Sequence, residues 1–307
     1  MKVLVTDPIH EDGIKALGEI AEVDVAKGLG EEELRARIAD ADVLVVRSAT
    51  KVTKDLLSVA KNLKLIVRAG TGLDNIDIVA ARERGIKVLN TPEAPSVATA
   101  ELAMALMLAW ARKIVDANLS MKQGKWEKSK LRGTELRGKT LGIIGTGRVG
   151  REVGRRAKAF GMKLLLNDIV EIPEFAKEVN SRYVDLETLL RESDYVSIHV
   201  PLTKETERMI DEEKLRMMKP TAVLINTARG GVVDEKALVK ALKSGEIAGA
   251  CLDVYEKEPL GDSPLLELPN VILTPHLGAS TEEAQRRAAL LVVEKVKKEL
   301  CRERSGS

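Results

Sequence analysis

The chain has 307 residues, 49 of them Lys or Arg and 47 Asp or Glu, for a net charge of +2. That length allows two domains with sizeable cores, and so balanced a charge gives no footing for nucleic acid or an anionic membrane. Cys251 and Cys301 stand in no disulfide or redox spacing and no cluster of metal ligands occurs, so plain thiols in a reducing compartment and no metal are expected.

The opening MKVLVTDPIHEDG has one short apolar run and early acids. That is a buried strand, not a secretion signal, which needs an apolar stretch of about 7–15 residues behind a basic start. Further buried strands are predicted at 42–47, 63–70 and 87–92, then at 140–145, 163–168, 195–200, 222–228, 249–254 and 270–275. Their Val, Ile and Leu run on without alternating, which marks strands covered on both faces and hence parallel sheets. Amphipathic stretches such as Glu235 to Lys243 lie between them. Strand and helix in alternation predict an α/β fold of doubly wound parallel sheets. The longest apolar stretch, Val97 to Ala111, is broken by Glu101 and falls short of the roughly 20 residues a bilayer crossing takes. A cytoplasmic protein is expected. Val97 to Met121 reads as one long helix with Ser96 as its N-cap, suited to a domain core, a subunit interface or both.

GTGRVG, Gly145 to Gly150, follows a predicted strand, opens a predicted helix and is followed by a second strand ending at Asp168. That context makes it a dinucleotide site. Gly145 makes the tight turn, Gly147 admits the pyrophosphate and Gly150 lets helix and strand pack. The helix N-terminus faces the phosphates. Asp168 should accept from the adenosine ribose hydroxyls, and its charge would repel a 2′-phosphate, so NAD is favoured over NADP. GTELRGKT, Gly133 to Thr140, formally matches the P-loop string, but its Lys139-Thr140 leads into a strand and not a helix, so that reading is rejected.

Three predicted strands end in polar residues: NTARGGVVD carries Arg229, DVYEKEPL carries Asp253 and Glu258, and LTPHLGAS carries His276. Ligands of open α/β sheets bind at the carboxyl ends of strands, so an Arg, a Glu and a His should share an edge with the glycine turn. The other two histidines, His10 and His199, read as structural.

VRSATKVT (46–53), RAGTGLDNID (68–77), KWEKSKLRGTELRGKTLGIIGTGRVGRE (125–152), NTARGGVVDEKAL (226–238) and HLGASTEEAQ (276–285) together resemble the D-isomer-specific 2-hydroxyacid dehydrogenases, and within them the phosphoglycerate-oxidising branch. The resemblance covers nearly the whole chain. It implies a substrate-binding, flavodoxin-like domain at 1–96 completed by 281–307, a Rossmann-type NAD-binding domain at 97–280, and an active site in the cleft between. It assigns catalysis to Arg229, Glu258 and His276. Arg229 would hold the substrate carboxylate and polarise the forming carbonyl. His276 would take the hydroxyl proton, and Glu258 would bond its other ring nitrogen and favour the imidazolium.

Cofactor contacts are implied at Thr71, Gly145, Gly147, Arg148, Val149, Gly150, Asp168, Val200, Thr227, Ala228, Asp253, Gly278 and Ala279, with Asp253 meeting the nicotinamide carboxamide. Backbone N–H groups of the loop holding Gly70 and Gly72 would meet the substrate carboxylate. Arg47 is the first candidate for a substrate phosphate, with Ser48 beside it and Arg68 and Lys128 behind. The implied reaction is NAD-dependent oxidation of D-3-phosphoglycerate to 3-phosphohydroxypyruvate, the first step of phosphorylated serine biosynthesis, by a homodimer joined through its nucleotide domain. The alternatives are a glyoxylate or hydroxypyruvate reductase and a non-catalytic NAD-sensing protein. Many relatives continue into a serine-binding regulatory domain where this chain stops at Ser307, so serine feedback is not expected.

Overall fold

The computed structural model describes residues 1–305, and side chains through residue 299; the Cys301 side chain lies outside the described residues. The chain divides into two compact units, the first made of Met1–Ser96 with the residues from Ala279 onward, the second of Val97–Gly278.

The first unit holds strands β1 (Lys2–Val5), β2 (Glu22–Val25), β3 (Val43–Val46), β4 (Leu65–Arg68) and β5 (Lys87–Asn90). All pair in parallel, in the order β2-β1-β3-β4-β5. Alternate residues feed two cores. Val3, Val5, Val43, Val45, Leu65 and Val67 face the helix Glu11–Gly18 and the final helix from Glu282, while Leu4, Leu44, Val46 and Ile66 face the other layer. This double cover is why the strands read as unbroken apolar runs. β2 was not predicted. It is an edge strand, EVDV, with its end residues exposed, so it has no apolar run to read. Gly13 lies so close to Ala289 that a Cβ there would stand 2.5 Å from the Ala289 Cβ, which fixes the returning helix on this unit.

The second unit holds β6 (Thr140–Ile144), β7 (Lys163–Asn167), β8 (Tyr195–Ile198), β9 (Val223–Asn226), β10 (Gly249–Leu252) and β11 (Val271–Leu273). They also pair in parallel, in the order β11-β10-β9-β8-β6-β7. In each sheet the first strand of its unit has the second on one side and the third on the other. The points where the order reverses therefore lie between β1 and β3 and between β6 and β8. Open α/β sheets bind ligands at such points, at the carboxyl ends of the strands.

The expected single helix from 97 to 121 is two, Ser96–Ala111 and Ile114–Lys122. The Ala111 carbonyl, which would continue the helical ladder, accepts instead from Thr134 N–H, and Lys113 turns to φ 53°. Ser96 is the first helical residue and not the N-cap; its hydroxyl donates back to the Pro92 carbonyl. No helix among the described residues is long and apolar enough to cross a membrane.

Candidate active site

The strand register of the second unit builds a row. Asn167, Ile144, Ile198, Asn226, Leu252 and Leu273 are mutual partners across all six strands. One residue further on, at the carboxyl edge, stand Asp168, Gly145, His199, Thr227, Asp253 and Thr274.

The glycine turn occupies the β6 end of that row. Gly145 has φ 91° and lies against the His199 backbone. A Cβ on Gly150 would overlap the Gly145 carbonyl oxygen, so this residue lets the helix Arg148–Ala159 start hard against the turn. Nothing lies within 4 Å of a Cβ built on Gly147, and no side chain caps this helix. Its first N–H groups thus sit behind an open backbone face, the arrangement a pyrophosphate needs. Arg148 and Val149 are its first two residues. Asp168 accepts from Thr146 N–H at 2.5 Å, from the Thr146 hydroxyl at 3.2 Å and from Val170 N–H at 3.1 Å, which ties the end of β7 to the turn. Val200 is half-buried and borders Gly145. Thr227 is buried with no partner for its hydroxyl among the described residues, and the same holds for His199 Nδ1. Two orphaned polar atoms on the cofactor edge fit a site made for a polar ligand.

His276 Nδ1 lies 2.6 Å from a Glu258 carboxylate oxygen. The other Glu258 oxygen accepts from Tyr255 N–H at 3.2 Å. Burial pushes the Glu258 carboxyl up, but the hydrogen bond and charge of His276, the Tyr255 N–H and the Arg229 charge together hold it below its ordinary value. His276 itself sits at φ 53°, a left-handed conformation unusual for a non-glycine. What holds it there is Asp253. This carboxylate is fully buried and accepts from the Thr274 hydroxyl at 2.6 Å, Leu277 N–H at 2.7 Å and Gly278 N–H at 2.8 Å. The expected nicotinamide contact of Asp253 did not anticipate this work inside its own loop.

Arg229 ends a turn braced by buried Asn226, which donates to the Arg229 carbonyl at 2.9 Å and accepts from Ala228 N–H at 3.0 Å. A Cβ on Gly230 would overlap the Tyr255 carbonyl, so only glycine lets this turn close on the loop that carries Glu258. The arrangement can orient a carboxylate with a cation and exchange a proton through the His276 Nε2.

The first unit carries the remaining predicted residues. Arg47 N–H donates to Asp7 at 2.6 Å and its guanidinium to the Pro8 carbonyl at 3.1 Å. Arg68 also holds the loop's backbone. Its Nε bonds the Arg47 carbonyl and Asn75, making it a brace. Ser48 is exposed, and Gly70 shares with Arg47, Ala69, Pro95, Ala279 and Gln285 a hollow on this unit. Thr71 and Gly72 follow on the same loop; the Thr71 carbonyl accepts from Asn90. Lys128 is exposed on the segment between the second unit's helix Ile114–Lys122 and β6. Of the other histidines, His10 caps the helix Glu11–Gly18 and bonds Glu282, while His199 bonds Ser197 at 2.8 Å.

Residues 104–278 match the NAD binding domain of the D-isomer specific 2-hydroxyacid dehydrogenases. The chain belongs to this family. It is 54% identical over 301 residues to the D-3-phosphoglycerate dehydrogenase of Methanocaldococcus jannaschii, covering 98% of this chain and 57% of that protein. It is 52% identical to the hydroxypyruvate reductase of Thermotoga maritima, covering 97% of this chain and 98% of that protein. The D-lactate dehydrogenase of Aquifex aeolicus, solved with NAD and lactic acid, superposes with a TM-score of 0.86 at 34% identity over 98% of this chain and 95% of that one. The chain spans little more than half the length of the phosphoglycerate dehydrogenases it matches.

Within this 2-hydroxyacid dehydrogenase fold, sequence reasoning missed Asn226, Gly230 and Thr274. Asn226 and Thr274 were hidden inside predicted strands; only their place one step before or at the edge row marks them.

Proposed function

We propose that the chain is an NAD-dependent dehydrogenase of D-3-phosphoglycerate, forming 3-phosphohydroxypyruvate. The observation that carries the reading is the 2.6 Å contact of Glu258 with His276 Nδ1, which leaves Nε2 to act on substrate. Nε2 takes the hydroxyl proton as the C2 hydrogen departs, and Glu258 stabilises the imidazolium and keeps the ring oriented. Arg229 holds the substrate carboxylate and the oxygen that becomes a carbonyl. NAD, when bound, supplies the hydride acceptor. Its pyrophosphate fits the open face of Gly147, and Asp168 disfavours a 2′-phosphate. Arg47, with no carboxylate on its guanidinium among the described residues, is the ligand for the substrate phosphate.

Hydroxypyruvate or glyoxylate reduction is the second reading, supported by the 52% identity to a hydroxypyruvate reductase. It needs the same three catalytic residues. A homodimer through the second unit is also proposed, since Ile114, Leu119 and Met121 of the helix Ile114–Lys122 are more than half exposed and want cover. Sedimentation velocity reads that directly.

The deciding experiment follows NADH absorbance at mildly alkaline pH with D-3-phosphoglycerate, NAD and a carbonyl trap, beside D-glycerate, D-lactate, hydroxypyruvate and glyoxylate. Turnover confined to the phosphorylated acid is the expected result. NADH consumption with hydroxypyruvate or glyoxylate alone would transfer the chain to the second reading.

A further inference from the structure

We propose that Asp7 is a positioning residue for substrate recognition: it shapes the Arg47–Thr50 loop that reads the anionic end of the substrate, and so helps separate phosphorylated from unphosphorylated 2-hydroxy acids. This rests on the reading of Arg47 given above.

The loop follows β3, and Asp7 follows β1, so the two flank the point where the strand order of the first sheet reverses. That is where such a sheet receives a ligand. Asp7 is 2% exposed. A carboxylate so buried needs donors, and it has them all from one loop. It accepts from Arg47 N–H at 2.6 Å, from Thr50 N–H at 3.1 and 3.2 Å, and from the Thr50 hydroxyl at 2.6 Å. On the opposite side, Asn75 donates to the carbonyls of Arg47 at 2.8 Å and Thr50 at 2.7 Å, and Arg68 adds a bond to the Arg47 carbonyl. Both peptide groups at each end of the loop are therefore fixed by side chains. Between them Ser48 and Ala49 are exposed, and their N–H groups make no hydrogen bond among the described residues.

The chemistry of Asp7 is specific. An acid that paired with the Arg47 guanidinium would compete with a phosphate. This one grips the Arg47 backbone instead, and the guanidinium, bonded to the Pro8 carbonyl, meets no carboxylate among the described residues. An isosteric amide would put an NH2 against N–H donors and release one end of the loop.

The test compares wild type, Asp7→Asn, Thr50→Val and Arg47→Ala on D-3-phosphoglycerate and on hydroxypyruvate, with NAD affinity and thermal midpoint measured alongside. Asp7→Asn should raise KM for the phosphorylated acid by on the order of tenfold, with kcat and NAD affinity nearly unchanged and hydroxypyruvate much less affected. Thr50→Val removes one donor, keeps the shape and should move the same KM in the same direction by less. It carries the test if Asp7→Asn does not fold. Equal loss on both substrates, or loss of kcat and NAD affinity together, would mean a merely structural role and overturn the proposal. If Arg47→Ala abolishes the discrimination while Asp7→Asn and Thr50→Val leave it intact, Arg47 keeps its role and Asp7 loses this one. If Arg47→Ala has no effect while Asp7→Asn does, the Arg47 reading fails, and the clamp stands on the loop's own N–H groups. A wild type indifferent to the phosphate sinks both.

Discussion

The His276 loop and the Arg47 loop are built on the same device and reached by different routes. Each follows a parallel strand, and each is held by one buried aspartate, Asp253 or Asp7, that accepts hydrogen bonds from both backbone and a threonine hydroxyl. The Asp253 loop takes its place from strand register, one step past a continuous row of paired residues. The Arg47 loop takes its shape from three side chains, Asp7, Arg68 and Asn75, that lie 21 to 43 positions away in sequence, where the His276 loop has the single carboxylate of Asp253 at 21 to 25 positions. A site made by register shows in the sequence as residues at strand ends. A loop made by a long-range clamp shows nothing until it is folded.

The comparison is sharpened most by His276→Asn. If the register row carries the chemistry, kcat should fall by roughly 10²–10⁴-fold while titration still finds NAD bound. Full turnover in this variant would end the proton-transfer account.

A second test uses His199, in the same row. Burial drives its pKa down to about 3 from an ordinary value of 6.5. The folded protein then keeps the ring neutral while the unfolded chain takes up a proton below 6.5. Its stabilising effect is therefore whole above pH 6.5 and is lost as the pH falls toward 3, by at most about 5 kcal/mol. Urea midpoints at several pH values should fall along this slope, and His199→Asn should flatten it; an unchanged slope would remove His199 as the cause.

Asp253→Asn sets the two aspartates side by side. It should cost about 1–3 kcal/mol of stability and lower kcat, whereas Asp7→Asn should act on KM. Identical kinetic signatures would erase the distinction between the loops. The smallest effect is expected of Lys128→Ala, an exposed residue. It should move the thermal midpoint by less than about 0.5 kcal/mol equivalent, and KM for the phosphorylated acid only in low salt, where an exposed charge steers. A salt-independent rise in KM would instead make Lys128 a direct ligand.

Much of this was legible beforehand. The strands of both sheet interiors could be read because strands covered on both faces need apolar residues at every position; β2 escaped because Glu22 and Asp24 break its four residues, EVDV, at an edge where they can stay in water. The glycine turn was legible because Gly145 and Gly150 meet steric demands no other residue satisfies. Strand-end logic brought Glu258 and His276 to one edge, and their pairing was what the family resemblance implied. The break after Ala111 could not be read, since the partner of its carbonyl, Thr134, comes from a loop beyond the next helix. Nor could the inner tasks of Asp253 and Asn226, which depend on which neighbours the register brings within reach.

The close contact of Gly13 with Ala289 has a consequence for synthesis. One face of the first sheet is covered by Ala288, Ala289, Val292, Val293 and Val296, which leave the ribosome after the whole second unit. Roughly 180 residues intervene, or roughly 10–40 s at about 5–20 residues per second. Through that interval Val3, Val5, Val43, Val45, Leu65 and Val67 lack part of their apolar cover. The nascent chain's period of greatest exposure to aggregation thus falls on the unit whose strands are made first and finished last.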